Sequence, residues 1–226
     1  MDRAAVAAIA ALDDDVRRAL YEHVRGAGAP VSREEAAAAV GISRGLAAFH
    51  LDKLVELGVL RSGFAPATGR RVGRAPRLYE PGTDDIAVRV PERRPDLLAS
   101  ILVEAVTTEQ PGERAEDTAL RVARERGTAL GAGERSRLRG RVGAERALAT
   151  SQELLDRLGF EPFRDEGAVR LRNCPFHPIA GAAPDLVCGL NRAYLAGVVD
   201  GLEAGDRVVA ELAPRAGECC VELRPG

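Results

Sequence analysis

The chain has 226 residues, of which 46% are hydrophobic and 4% aromatic, with no tryptophan. That apolar share supports a packed core and excludes wholesale disorder, and the shortage of aromatics leaves Ala, Leu and Val to fill it. A net charge of −2 excludes a globally basic nucleic-acid coat, although residues 1 to 82 carry 12 basic against 10 acidic side chains and the remainder 20 against 24.

The N-terminus, MDRAAVAAIAALDDD, is acidic and broken by charge, unlike a secretion signal. No uncharged apolar stretch is long enough to span a bilayer, so a cytoplasmic protein with no membrane partner is expected. A helix is predicted from about Asp13 to Arg25, with acids at its positive end. Ser32 and Glu35 fit a capping box for a second helix, Gly41 permits a sharp turn, and Ser43 caps a third helix closed by Gly58. VLRSGF and RLYEP read as short strands on either side of ATGRRVGRAP. A proline-bracketed linker, VPERRPD, then divides a first domain, residues 1–90, from a second, residues 91–226.

The second domain opens on the apolar helix LLASILVEAV, followed by helical stretches at about Glu113–Leu130 and Glu134–Leu158. The period then changes. GFEPFRDEGAVRLRNC reads as two strands around a DEG turn, DLVCGLNRAYLAGVVDGL as a helix, and RVVAELAP with ECCVELRP as a closing pair of strands. The fold class is therefore α+β: an N-terminal winged helix-turn-helix, then helices and a β-β-α-β-β unit.

SREEAAAAVGISRGLAAFHLDKLVELGVL has the length and punctuation of a helix-turn-helix. On a helical wheel Ala47, Leu51, Leu54 and Gly58 share the packed face, with His50 and Leu57 at its edge. Arg44, Gly45, Ala48, Phe49 and Asp52 lie opposite. In this motif the start of the second helix enters the major groove. Ser43 caps it, Arg44 can take a guanine edge in a bidentate pair, and Gly45 and Ala48 allow close approach. Phe49 can meet a thymine methyl or shield the helix junction, and Lys53 can hold a phosphate. Arg70, Arg71, Arg74 and Arg77 alternate with Gly and Pro and have no nearby acids in the sequence. Phosphate or minor-groove contact is the economical reading of that wing. The partner expected is double-stranded DNA carrying an inverted repeat, read by a homodimer. Leu97, Leu98, Ile101, Leu102 and Ala105 form the apolar face expected both to pack on the domain and to meet a second copy.

With VSREEAAAAVGISRGLAAFHLDKLVELGVL and GRRVGRAPRLYEPG in view, the first eighty residues resemble winged-helix bacterial regulators of the ArsR/DeoR-like group. RLRNCPFHPIA, DLVCGLNRAYLAGVV and AELAPRAGECCVEL resemble the regulators grouped with the SufR repressors of iron–sulfur cluster assembly. That resemblance implies a cluster held by three cysteines, carried here onto Cys174, Cys188 and one of Cys219 or Cys220, and a repressor that senses it.

All four cysteines lie in the last quarter of the chain, at 174, 188, 219 and 220, with His177 beside the first. Strand alternation lets only one of Cys219 and Cys220 enter a single site, so the set offers three thiolates and one imidazole. Zinc takes such a set tetrahedrally, and an iron–sulfur cluster takes thiolates. The third alternative is no metal, with the cysteines as small buried residues in a small-molecule-responsive regulator. Neither a nucleophilic Cys174–His177 pair nor GTALGAGER as a phosphate loop has the required setting, so no enzyme is expected.

Overall fold

The computed structural model describes residues 2–64, 75–82 and 85–226. The chain divides into two compact units, Met1–Arg89 and Val90–Gly226.

The first unit opens on α1 (Arg3–Ala11), a helix the charged N-terminal sequence did not suggest. Asp2 caps it, accepting the Ala4 N–H at 2.8 Å, and Ala8 and Ala11 join the core. Next come α2 (Asp15–Gly26), β1 (Val31–Ser32), α3 (Arg33–Val40) and α4 (Arg44–Glu56). The capping box of Ser32 and Glu35 is present in both directions, and Gly41 closes α3 at φ 74°. A left-handed conformation there suits glycine and turns the chain into α4. Strands β2 (Leu60–Phe64) and β3 (Arg77–Pro81) pair antiparallel, and the two-residue β1 adds on the far side of β3. Leu20, Val24, Ala36, Ala47, Leu51, Leu54 and Tyr79 fill the space between helices and sheet.

The second unit begins with α5 (Pro95–Thr107), α6 (Ala115–Arg135) and α7 (Ala144–Arg157). Strands β4 (Pro162–Asp165) and β5 (Ala168–Leu171) form a tight hairpin. Its two loop residues, Glu166 at φ 47° and Gly167 at φ 85°, are both left-handed, the requirement of a type I′ turn. A short α8 (Ile179–Ala182), not expected from the sequence, leads into α9 (Pro184–Gly201), followed by β6 (Val208–Leu212) and β7 (Val221–Pro225). The sheet order is β4-β5-β7-β6, antiparallel throughout, so the last strand inserts between the hairpin and β6. That insertion carries the residues just before β7 beside β5 and the start of α9, which is where the sulfurs lie.

Two features depart from the sequence reading. On α5, Leu98, Ile101 and Ala105 are consumed by the unit's own core, and the exposed apolar stripe is Ala99, Leu102, Val103 and Val106. Secondly, Arg170 on β5 is 1% exposed. It donates to Glu218 at 2.7 Å, to Glu222 and to the Ala213 carbonyl at 3.0 Å, pinning the loop before β7 to the sheet. A charge in that position needs partners on every side.

Candidate nucleic-acid interface and sulfur site

Helix α4 presents two different faces. Ala47, His50, Leu51 and Leu54 are buried against the rest of the unit. The Ser43 side chain accepts the Leu46 N–H at 3.2 Å and sets the helix start. Arg44, Gly45, Leu46, Phe49 and Asp52 are exposed, with Ala48 and Lys53 half-buried. Phe49, at 66% exposure, is the most exposed large apolar side chain of this helix, and Leu46 one turn earlier is 42% exposed. Leu46 fell on neither face of the sequence wheel; the structure places it outward beside Phe49.

The charges on this face are tethered to neighbours. Arg44 pairs with Glu34 of α3 at 3.1 Å, and Lys53 with Glu56 at 3.0 Å. Such exposed pairs hold by at most about 1 kcal/mol and release readily to a phosphate or a base. Arg77 differs. The sequence reading gave it no acid, but Asp52 of α4 lies 2.7 Å from Arg77 Nη1, and Nε and Nη2 donate to Ser62 Oγ at 3.0 and 2.8 Å. Its guanidinium also sits over the Tyr79 ring, 5.4 Å from the centroid. The buried Tyr79 hydroxyl donates to the same Asp52 at 2.9 Å. Burial and that carboxylate push the Tyr79 hydroxyl up to about 12. The network locks the β2–β3 hairpin to α4, which occupies Arg77 in positioning. Arg70, Arg71 and Arg74 lie outside the described residues.

Residues 12–63 match the family model of a helix-turn-helix domain. Comparison with curated proteins and with solved structures gives no match. The matched segment runs from α2 through β2, so this helix-turn-helix includes the whole outward face of α4, and it supports DNA-binding regulation. Among the described residues no helix is long and apolar enough to cross a membrane.

In the second unit two of the four cysteines are bonded to each other. Cys188, early in α9, is joined to Cys220 in a disulfide, with Cα atoms 6.4 Å apart. Cys174, in the loop after β5, and Cys219, just before β7, are free. Cys219 is 1% exposed and Cys174 half-buried. Cys219 and Cys220 both precede β7, and of the two only Cys220 is bonded to another cysteine. Asn191, one turn after Cys188 and also buried, donates from Nδ2 to Cys219 Sγ at 3.1 Å. No signal in the sequence marked this asparagine.

The Cys219 hydrogen bond, aided by the N–H groups of Phe176 and His177 and the charge of Arg93, holds Cys174 below the usual thiol range, although burial opposes it. The same bond, burial and the neighbouring Cys174 charge push Cys219 up. His177 is exposed, and it is its backbone N–H, not its ring, that meets Cys174, donating to the carbonyl at 3.0 Å. Among the described residues no group of three or more His, Cys, Asp or Glu side chains is arranged to hold a metal ion. With Cys188 and Cys220 bonded to each other and His177 turned to solvent, the expected set of three thiolates and an imidazole does not fit a closed metal site in this arrangement.

Proposed function

We propose that the chain is a sequence-specific DNA-binding transcription regulator, acting as a homodimer on an inverted repeat. The observation that carries the reading is the outward face of α4, with Arg44, Leu46 and Phe49 exposed inside the segment matched as a helix-turn-helix. Arg44 reads a base edge, Leu46 and Phe49 offer apolar contact to thymine methyls, and the β2–β3 hairpin is the wing. Ala99, Leu102, Val103 and Val106, spaced i, i+3, i+4, i+7 along α5, supply the seam for a second copy. Dimerisation then sets two recognition helices about one DNA turn, roughly 34 Å, apart. The test is selection of bound duplexes from a random pool. An inverted repeat should emerge, and Arg44→Ala should relax preference at one position in each half-site. A pool that yields no enriched sequence sinks the reading.

The second unit is the sensor in this reading. The sulfur pairing supports thiol chemistry; an iron–sulfur cluster or zinc ion would need Cys188 and Cys220 parted from one another. Iron, zinc and sulfide per chain, measured on protein purified without oxygen, separate these. A second reading, a small-molecule-responsive regulator, is favoured by a cavity of about 370 Å³ between α5, α6 and the start of α9. Leu102, Ala105, Val106, Ala119 and Leu186 give it a largely apolar lining. In this reading an apolar compound should raise the melting temperature of the second unit, and an Ala119→Phe variant that fills the cavity should not respond to it.

A further inference from the structure

A second cleft of the second unit lies between α6, α9 and β6 and shares no lining residue with the apolar cavity beside α5. Its volume is about 400 Å³, within the ordinary range of small-molecule sites. The close crossing of α6 and α9 creates it. A Cβ at Gly197 would collide with the Arg124 carbonyl, so the two backbones touch there and the side chains flanking the crossing share one surface. Leu120, Ala193, Ala196 and Val208 give the cleft an apolar wall, and the two alanines leave depth that longer side chains would fill.

Three arginines also line the cleft, and they are not equivalent. Each guanidinium nitrogen of Arg121 already has a partner: both Glu113 oxygens at 3.1 Å, Glu125 at 3.4 Å and the Thr108 carbonyl at 3.2 Å. Arg124 is half committed. Its Nε and Nη2 meet a single oxygen, Asp200 Oδ2, at 2.9 and 2.7 Å, and its Nη1 has no partner among the described residues. The other Asp200 oxygen lies over Gly205, where a Cβ would come within 2.5 Å of it. Asp200 is thereby seated on the turn before β6, and it holds the Arg124 fork in one orientation. Arg192 is exposed, with no hydrogen bond, ion pair or ring contact among the described residues. Two guanidiniums with unused donors thus share one small cleft with an apolar wall. Such forks match the paired oxygens of carboxylates and phosphates.

We propose that this cleft binds a small organic anion, a carboxylate or phosphate monoester whose oxygens meet Arg124 and Arg192 and whose short apolar body lies against Leu120, Ala196 and Val208. The same arginines repel a cation. A neutral analogue leaves their N–H groups to water, and inorganic phosphate leaves the apolar wall uncovered. Any effect of the anion on DNA rests on the regulator reading above; the binding does not.

The experiment is isothermal titration of the full chain with benzoate and phenyl phosphate, compared with benzyl alcohol, benzylamine and inorganic phosphate. At least one of the two organic anions should bind about ten-fold or more tighter than the alcohol, the lower end for a hydrogen bond to a charged group. The tighter of the two identifies a carboxylate or a phosphate monoester as the ligand class. Arg192→Gln, at an exposed side chain without a partner, should keep the wild-type melting temperature and weaken the anion about ten-fold. Ala196→Leu should block binding by filling the cleft, and Ala119→Phe, in the separate apolar cavity, should leave it unchanged. Neither anion binding at millimolar concentration, benzyl alcohol binding as tightly, or full affinity in Arg192→Gln overturns the site. Loss of binding in Ala119→Phe with full binding in Ala196→Leu also overturns it, by placing the probe in the other cavity. Inorganic phosphate that binds as tightly as phenyl phosphate overturns the apolar contact. Protein that binds no operator, with or without the anion, refutes the regulator reading and leaves the titration result standing.

Discussion

Replacing Gly131 by alanine should destabilise the second unit, and replacing Gly133, two residues later on the same helix, should stabilise it. Helices α6 and α9 cross through four glycines, Gly127 and Gly131 on one and Gly197 and Gly201 on the other. A Cβ at Gly131 would meet the Val198 carbonyl, with its carbon at 3.0 Å, and the Gly201 Cα at 3.1 Å. These are backbone atoms and cannot rotate aside, so the helices must part. Overpacking of this kind costs roughly 1–3 kcal/mol, and parting also thins the dispersion attraction along the rest of the crossing. Alanine recovers up to about 1 kcal/mol of helix propensity, so Gly131→Ala should lose roughly 1–2 kcal/mol net. At roughly 3 °C per kcal/mol the melting temperature falls by about 3–6 °C. At Gly133 an added Cβ meets nothing within 4 Å, so the propensity gain of about 0.5–1 kcal/mol stands alone. Urea denaturation followed by far-ultraviolet circular dichroism measures both. Gly131→Ala at or above wild-type stability, or two shifts of the same sign, refutes the close crossing.

Arg170→Ala should cost about 3–5 kcal/mol, because it strands Glu218 and Glu222 beside the buried end of β5; a loss below 1 kcal/mol in the same urea assay would show that the pair is not holding the loop. Tyr79→Phe should cost about 1 kcal/mol by removing one bond to the half-exposed Asp52, and should leave operator preference intact, which a binding selection checks. Because Cys174 is held below the usual thiol range and Cys219 is pushed above it, alkylation by iodoacetamide near neutral pH should label Cys174 first. The Cys174 rate should fall only as pH drops below the range where ordinary thiols have already lost their thiolate; equal labelling of both contradicts the assignment. Replacing Arg70, Arg71 and Arg74 together should flatten the salt dependence of DNA binding by about 0.9 in log–log slope for each phosphate no longer neutralised. An unchanged slope would remove the wing from the interface.

Much of the first unit was legible because its signals are local. A capping box needs Ser32 and Glu35 three residues apart, a left-handed turn favours Gly41, and a helix start needs Ser43. Those demands act within one turn of chain, so residue order alone announces them and with them the helix-turn-helix. Arg77 shows the limit: its partner Asp52 is 25 residues away in sequence and comes beside it only when the hairpin folds onto α4. The second unit shows the limit more fully. Strand alternation, a local rule, is the sequence's ground for separating Cys219 from Cys220, but both precede β7, and the bond of Cys220 to Cys188 depends on β7 inserting between β5 and β6. The glycines of GTALGAGER carry no mark that distinguishes Gly131 from Gly133; only the approach of α9 makes one indispensable and the other replaceable. Likewise α5 advertises a broad apolar surface, and the packing of α6 against it decides that Ile101 is core and Val103 stays exposed. Periodicity and caps depend on neighbours a few residues apart, which the sequence contains. Sulfur pairing, ion-pair choice and helix approach depend on neighbours brought together by topology, which only the folded chain supplies.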